Sequence, residues 1–206
     1  MNGRGRFISL EGGEGVGKST QLRALASALR ERGLTVVETR EPGGSDGAEA
    51  IRRLLLGEQD WPIEAEALLF AAARADHVDK VIRPAIERGD WVLSDRFIDS
   101  SLAYQGGAGG LSIERIRELH EFATGYFLPD RTLVLALPEG MDRARERDGN
   151  DRDRIGGRGD EFHEKVGAAF EIIAAEEPDR VKLIVASGSE GNVTERLLAA
   201  IVDLLT

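Results

Sequence analysis

The chain has 206 residues, no cysteine, and a formal net charge of −10 from 27 Lys and Arg against 37 Asp and Glu. Its length admits one domain with a good core or barely two, the missing thiols exclude disulfides, thiolate metal sites and cysteine nucleophiles, and the acidic balance argues against gripping a nucleic-acid polymer. No apolar run is long enough to span a membrane, and the opening Met1-Asn2-Gly3-Arg4-Gly5-Arg6 lacks the apolar stretch of a signal peptide, so a cytoplasmic enzyme is the expected class.

The first predicted element is a buried strand over Arg6–Glu11. It runs into Gly12-Gly13-Glu14-Gly15-Val16-Gly17-Lys18-Ser19, which fits G-x-x-x-x-G-K-[ST]. Leucines at helical spacing follow and predict a helix over Lys18–Arg32. This strand–loop–helix order is the context a phosphate-binding P-loop requires. Glycines let consecutive N–H groups turn into one concavity, and the helix start adds its unpaired donors and positive dipole end. Lys18 would bring a point charge to the β- and γ-phosphates, and Ser19 a hydroxyl to Mg²⁺. The dinucleotide pattern G-x-G-x-x-G fails because Lys18 stands where its third glycine would be. A nucleoside triphosphate with Mg²⁺ is the ligand this predicts, not a nicotinamide or a flavin.

Further along, strands are predicted over Thr35–Thr39, Trp91–Ser94, Thr132–Ala136 and Val181–Ala186. Helices are predicted over Gly47–Leu56, Ile63–Glu87, Ile113–Ala123, Gly140–Arg147, Glu161–Glu176 and Val193–Leu205. Mostly continuous apolar strands alternating with helices predict a three-layer α/β domain, a five-stranded parallel sheet flanked by helices. Neither a repeat nor a linker is visible, so a single domain over 1–206 is expected. The segment from Arg143 to Arg158 mixes six arginines with aspartates and glycines and cannot bury a face. It reads either as a solvated loop or as a mobile lid, about 143–160, that carries arginines onto a transferring phosphoryl group; the P-loop in the same chain favours the lid.

Candidate acceptor residues follow the strands. Arg40-Glu41-Pro42-Gly43-Gly44 succeeds the second strand, where ligands bind in such sheets. Asp95-Arg96 succeeds the third; Asp95 is suited to act near Mg²⁺ or through its water, and Arg96 to pair with a phosphate as a planar fork. Phe70 and Arg74 share a helix face, fit for stacking on a base and reaching its edge, although spacing alone reads Phe70 as core and Arg74 as surface. Asp99 to Gly107 is polar and forms a loop or short helix suited to a sugar or a base. His77, His120 and His163 show no ligand spacing and read as ordinary surface or partly buried residues.

Taken together, these segments resemble the bacterial-type thymidylate kinase (dTMP kinase) family of P-loop nucleoside monophosphate kinases. The resemblance runs from Phe7 to about Phe170. It is carried by Glu11 through Thr20, Thr39 through Gly44, Leu69-Phe70 with Arg74, Asp95-Arg96 with Ser100, Ser101, Tyr104 and Gln105, and Asp153-Arg154. It implies the reaction ATP + dTMP to ADP + dTDP with Mg²⁺ held at Ser19 and Asp95. It further implies that Gly12, Gly13, Glu14, Gly15, Val16, Gly17, Lys18, Ser19 and Thr20 embrace ATP while Arg143 packs along adenine. Glu14 would meet the acceptor's 3′-hydroxyl, Arg40 and Arg96 its phosphate, Phe70 and Arg74 its base, with Ser101 at the base edge and Tyr104 crowding the 2′ position. Gly15 and Val16 stand where some relatives carry a P-loop cation, so the lid would supply the charge, Arg154 first and Arg158 second. Gly156 and Val185 depart from the acidic residues common in relatives and lie toward the ATP side. The resemblance also suggests a homodimer.

Overall fold

The computed structural model describes residues 4–137 and 155–205. Five parallel strands form one sheet in the order β2-β3-β1-β4-β5: β1 Phe7–Gly12, β2 Val36–Arg40, β3 Trp91–Asp95, β4 Arg131–Ala136 and β5 Val181–Val185. The three central strands are continuously buried apart from the last residue of β3 and of β4, as strands covered on both faces should be, whereas the edge strands β2 and β5 are not. Register is set by β1: Phe7 pairs with Val92 and Leu10 with Asp95 on one side, and Ile8 with Arg131 on the other. Because side chains alternate across a strand, Phe7 enters one core and Ile8 and Leu10 the other.

The core around Ile8, Leu10, Leu93 and Leu133 is closed by α1 Lys18–Arg30, through Leu22, Leu25, Ala26 and Leu29, and by α8 Glu190–Ala199, through Val193 and Leu197. The opposite core packs Phe7 edge-on to Phe97 at 4.8 Å. It is closed by α3 Ile63–His77, α6 Ile113–Thr124 and α7 Asp160–Glu176. Polar residues begin the helices: Ser45 caps α2 Asp46–Leu56, Ser112 caps α6, and Ser189 with Asn192 forms a capping box on α8. Below this layer, Asp99 is fully buried and receives Arg180 through two bonds of 2.7 and 2.8 Å and the Thr132 hydroxyl at 2.7 Å.

The predicted helix Ile63–Glu87 is interrupted. After α3 the chain widens into a π turn, Val78–Ile82, before α4 Arg83–Glu87. Pro84 has no N–H to donate and its ring crowds the carbonyl four residues back, so the wider turn lets the helix pass it. A helical stretch also forms where the sequence left a loop or short helix: α5 Ile98–Ser101 continuing as a π segment, Leu102–Ala108. The last predicted helix ends at Ala199, followed by a short 3₁₀ turn, Val202–Leu204. The predicted helix Gly140–Arg147, and with it Arg143 and Arg154, lies outside the described residues.

Strands after β1 lie first on one side of it and then on the other, so crossovers diverge there. The crevice beyond the carboxyl ends of such strands is where open α/β sheets hold ligands.

Candidate active site

The glycine run leaves the end of β1 at Gly12, whose φ is +126° and where a Cβ would fall 2.3 Å from the Leu135 carbonyl. No other residue fits so close to β4. Gly17, also at positive φ, begins α1 with no side-chain cap, which leaves the first N–H groups of the helix directed into the crevice. Lys18 is buried, and its Nζ donates to the carbonyls of Gly12 and Gly13 at 3.2 and 2.6 Å. Burial, and then repulsion from Arg96, pulls its pKa down to about 8. Ser19 Oγ donates to Asp95 Oδ2 at 2.8 Å, so a hydroxyl and a carboxylate stand together at the mouth of the loop.

Arg96 is held at φ +73°, a left-handed conformation that costs an arginine about 1–2 kcal/mol. Its N–H donates to the Leu10 carbonyl. Its Nη1 donates to Gly12 O and Ser100 Oγ, both at 3.1 Å, and its Nη2 to Glu14 Oε1 at 2.5 Å. The guanidinium also lies 5.0 Å from the Tyr104 ring centre. Burial opposes its charge, yet the oxygens of Tyr104, Glu14, Asp95 and Glu11 hold its pKa above the usual value. Glu14 is likewise kept ionised against its own burial by Arg96 and Lys18. Backbone strain of this kind persists where surrounding bonds over-determine it, which is common at catalytic sites.

Beneath Arg96 lies Glu11, fully buried, accepting from the Phe97 N–H at 2.7 Å and the Ser100 hydroxyl at 2.5 Å. Burial first, and Asp99 second, push its pKa up to about 8. Burial raises that of Tyr104 to about 12, and its hydroxyl reaches Glu14 Oε1 at 3.3 Å.

Beside this polar end opens one cavity. Glu14, Arg96, Ser100 and Tyr104 line it together with Phe70, Arg74, Ser101 and Gln105. Eight of the nine predicted acceptor residues are therefore brought together. The ninth, Arg40, does not line it: its Nη2 pairs with Glu49 Oε1 at 2.8 Å on the exposed side of α2. Arg52, on α2 and bonded to the Pro42 carbonyl at 2.7 Å, stands in the wall instead. Glu41, Pro42, Leu56, Phe97 and Ile155 complete the lining. Glu41 and Pro42 belong to the Arg-Glu-Pro-Gly-Gly run that follows β2, whereas nothing local in the sequence singles out Arg52 or Leu56.

Arg74 reverses the reading from spacing. It is 2 % exposed, whereas Phe70 is half-buried at the cavity wall. Two histidines also prove to be core residues, contrary to expectation. His77 is completely buried between Thr39 and Glu41. His120 is buried against the Phe127 carbonyl, and burial followed by repulsion from Arg74 lowers its pKa to about 4. Arg158, expected at the phosphates, turns its Nη2 to the fully buried Glu66 at 2.6 Å and lies over the Phe162 ring.

Among the described residues no three His, Cys, Asp or Glu side chains cluster as a metal cage. Mg²⁺ takes one or two protein oxygens and fills its shell with water and substrate phosphates, and Ser19 Oγ with Asp95 Oδ2 is the oxygen pair at the loop.

A family model described as thymidylate kinase matches residues 10–197. A thymidylate kinase of Rhizorhabdus wittichii is 62 % identical over 205 residues, covering 98 % of this chain and 99 % of its own. One of Rhodopseudomonas palustris is 48 % identical over 204 residues, covering 96 % and 89 %. The crystal structure of the Ehrlichia chaffeensis thymidylate kinase superposes with a TM-score of 0.80 at 31 % identity, covering 97 % of this chain and 99 % of that one.

Proposed function

The chain belongs to the thymidylate kinase family, ATP-dependent phosphotransferases that convert ATP and dTMP to ADP and dTDP, and from that premise we propose how its residues divide the work. The observation that carries the proposal is that one cavity beside the P-loop is lined by Arg96 and Glu14 together with Phe70, Arg74 and Ser101.

The P-loop from Gly12 to Thr20 cradles the triphosphate through its N–H groups, and Lys18 leaves its loop carbonyls to meet the phosphate oxygens. Ser19 and Asp95 hold Mg²⁺, which neutralises charge on the phosphates when bound. Arg96 grips the dTMP phosphate as a fork, with its strained backbone and its bonds to Gly12, Ser100 and Glu14 fixing the aim. A phosphate oxygen is already a nucleophile, so no strong base is required, and aligning two polyanions is the main task. Cations must meet the charge that spreads over the transferred oxygens. Lys18 and Arg96 supply part of it; the lid, about 143–160, supplies the rest through Arg154, with Arg158 as second choice. Arg143, outside the described residues, is the residue assigned to adenine.

At the acceptor, Phe70 stacks on thymine, and Arg74 and Ser101 read its edge together with Gln105. Glu14 takes the 3′-hydroxyl, and Tyr104 fills the space a 2′-hydroxyl would need. Arg40 joins the acceptor phosphate by leaving Glu49. Leu68 on α3 and Phe122 on the adjacent α6 are exposed, Phe122 at 91 %, and support a homodimer through these helices. No helix among the described residues is long and apolar enough to cross a membrane, and the chain has no cysteine, which agrees with a single-domain cytoplasmic enzyme. The test is Arg74→Ala: KM for dTMP should rise by about tenfold or more while KM for ATP stays within about twofold. An equal loss for both substrates would refute the division.

A further inference from the structure

A buried polar relay runs from the cavity wall into the core. Arg74 donates through Nε to Glu41 Oε2 at 2.8 Å, and through Nη2 to Phe97 O at 3.2 Å and Ser101 Oγ at 3.0 Å. The second oxygen of Glu41, Oε1, lies 3.1 Å from Nδ1 of His77, whose Nε2 lies 2.7 Å from Thr39 Oγ1. A carboxylate only accepts, so Nδ1 bears the proton toward Glu41, and Nε2 shares a hydrogen bond with the Thr39 hydroxyl. The Gly44 loop closes over this pair. Its φ is +87°, and a Cβ there would fall 2.4 Å from both His77 Nε2 and Thr39 Oγ1. His77 also sits three residues beyond Arg74 on α3, so both side chains leave the same face of the helix.

An arginine held by a carboxylate that is itself held at one oxygen alone can swing with it. Here each oxygen of Glu41 has its own partner, one Arg74 and the other His77, and the guanidinium is left one orientation. We propose that His77 is a positioning residue for base selection, fixing Arg74 through Glu41 so that a hydrogen-bond donor faces the 4-position of the base. This rests on the reading of Arg74 given above. A fixed donor accepts a pyrimidine with oxygen at that position. It sets donor against donor when the base carries an amino group there, and desolvates both. Once loosened, the arginine swings aside and the penalty fades.

The experiment measures kcat/KM for dTMP and for dCMP, together with KM for ATP, in the wild type, His77→Asn, His77→Gln, His77→Ala and Arg74→Ala. An asparagine amide N–H occupies the place of Nδ1 and keeps the bond to Glu41; a glutamine reaches the place of Nε2 and keeps only the bond to Thr39. The expected result is a dTMP-over-dCMP preference that falls at least about tenfold in His77→Ala and His77→Gln, mainly through KM for dTMP, and returns in His77→Asn. KM for ATP should stay within about twofold of the wild type. Equal preferences in His77→Asn and His77→Gln, or an unchanged preference in His77→Ala beside a lost one in Arg74→Ala, would overturn the role of His77 and leave that of Arg74 standing. An unchanged preference in Arg74→Ala would overturn the base-reading assignment itself, and the inference with it. Should His77→Ala fail to fold, the Asn and Gln pair decides alone.

Discussion

Replacing Arg96 by glycine should separate the stability of this fold from its activity. Glycine relieves about 1–2 kcal/mol of left-handed strain at φ +73°. Against this, the freer unfolded chain costs about 0.5–1 kcal/mol. The bonds to Gly12 O, Ser100 and Glu14 are also lost, but these partners line or adjoin the cavity, where water replaces the guanidinium. The net loss should not exceed about 2 kcal/mol, a fall in Tm of roughly 4–8 °C for a chain of this size. Activity loses far more. Two charge-assisted bonds to the acceptor phosphate, each worth about 1.5–3 kcal/mol, amount to a drop of about 10²–10⁴ in kcat/KM for dTMP. Coupled ADP release and thermal unfolding on the same preparation give both numbers. Retention of kcat/KM within about tenfold would refute the phosphate role. A fall in Tm beyond about 15 °C would instead mark Arg96 as a structural residue.

Lys18, held down to about 8, is cationic below that pH and neutral above it; phosphates favour the cation, so ATP binding should take up a proton and weaken as pH rises through that value. Calorimetry near pH of about 8.5 in buffers of differing ionisation heat should show the uptake, and Glu11→Gln should retain it, which separates it from the titration of Glu11; absence of uptake would contradict the assignment. Asp99→Asn removes the buried carboxylate from the Arg180 guanidinium, which keeps Glu177 at 2.7 Å, and should cost about 1.5–3 kcal/mol, seen as a Tm lower by roughly 3–12 °C; a change under about 1 °C would be inconsistent. Phe122→Asp should turn a dimer into a monomer by light scattering, and an unaltered mass would exclude α6 from the interface.

The parts legible in the sequence are those whose chemistry is local. The P-loop declares itself because strand, glycines, Lys18 and helix are contiguous, and the five strands because buried β runs are short and apolar. Arg74 is illegible for the opposite reason. Its burial depends on Glu41 arriving from β2, thirty-three residues earlier, and on Ser101 from α5. His77 looks ordinary until Thr39 and Gly44 close on it. Arg52 stands on a polar helix with nothing nearby to distinguish it, and only the packing of α2 beside the Pro42 carbonyl brings it to the cavity. The π turn before Pro84 could have been suspected, since a proline within a helical pattern must be accommodated somehow.

The most direct measurement is ADP release with ATP and Mg²⁺ against dTMP, dUMP, CMP, UMP, GMP, AMP and thymidine in turn. A cavity with Arg96 for the phosphate, Phe70, Arg74 and Ser101 for a 4-oxo pyrimidine and Tyr104 against a 2′-hydroxyl predicts strong turnover with dTMP and little with CMP, UMP, GMP, AMP or thymidine. Turnover of thymidine or of a purine monophosphate comparable to that of dTMP would contradict it.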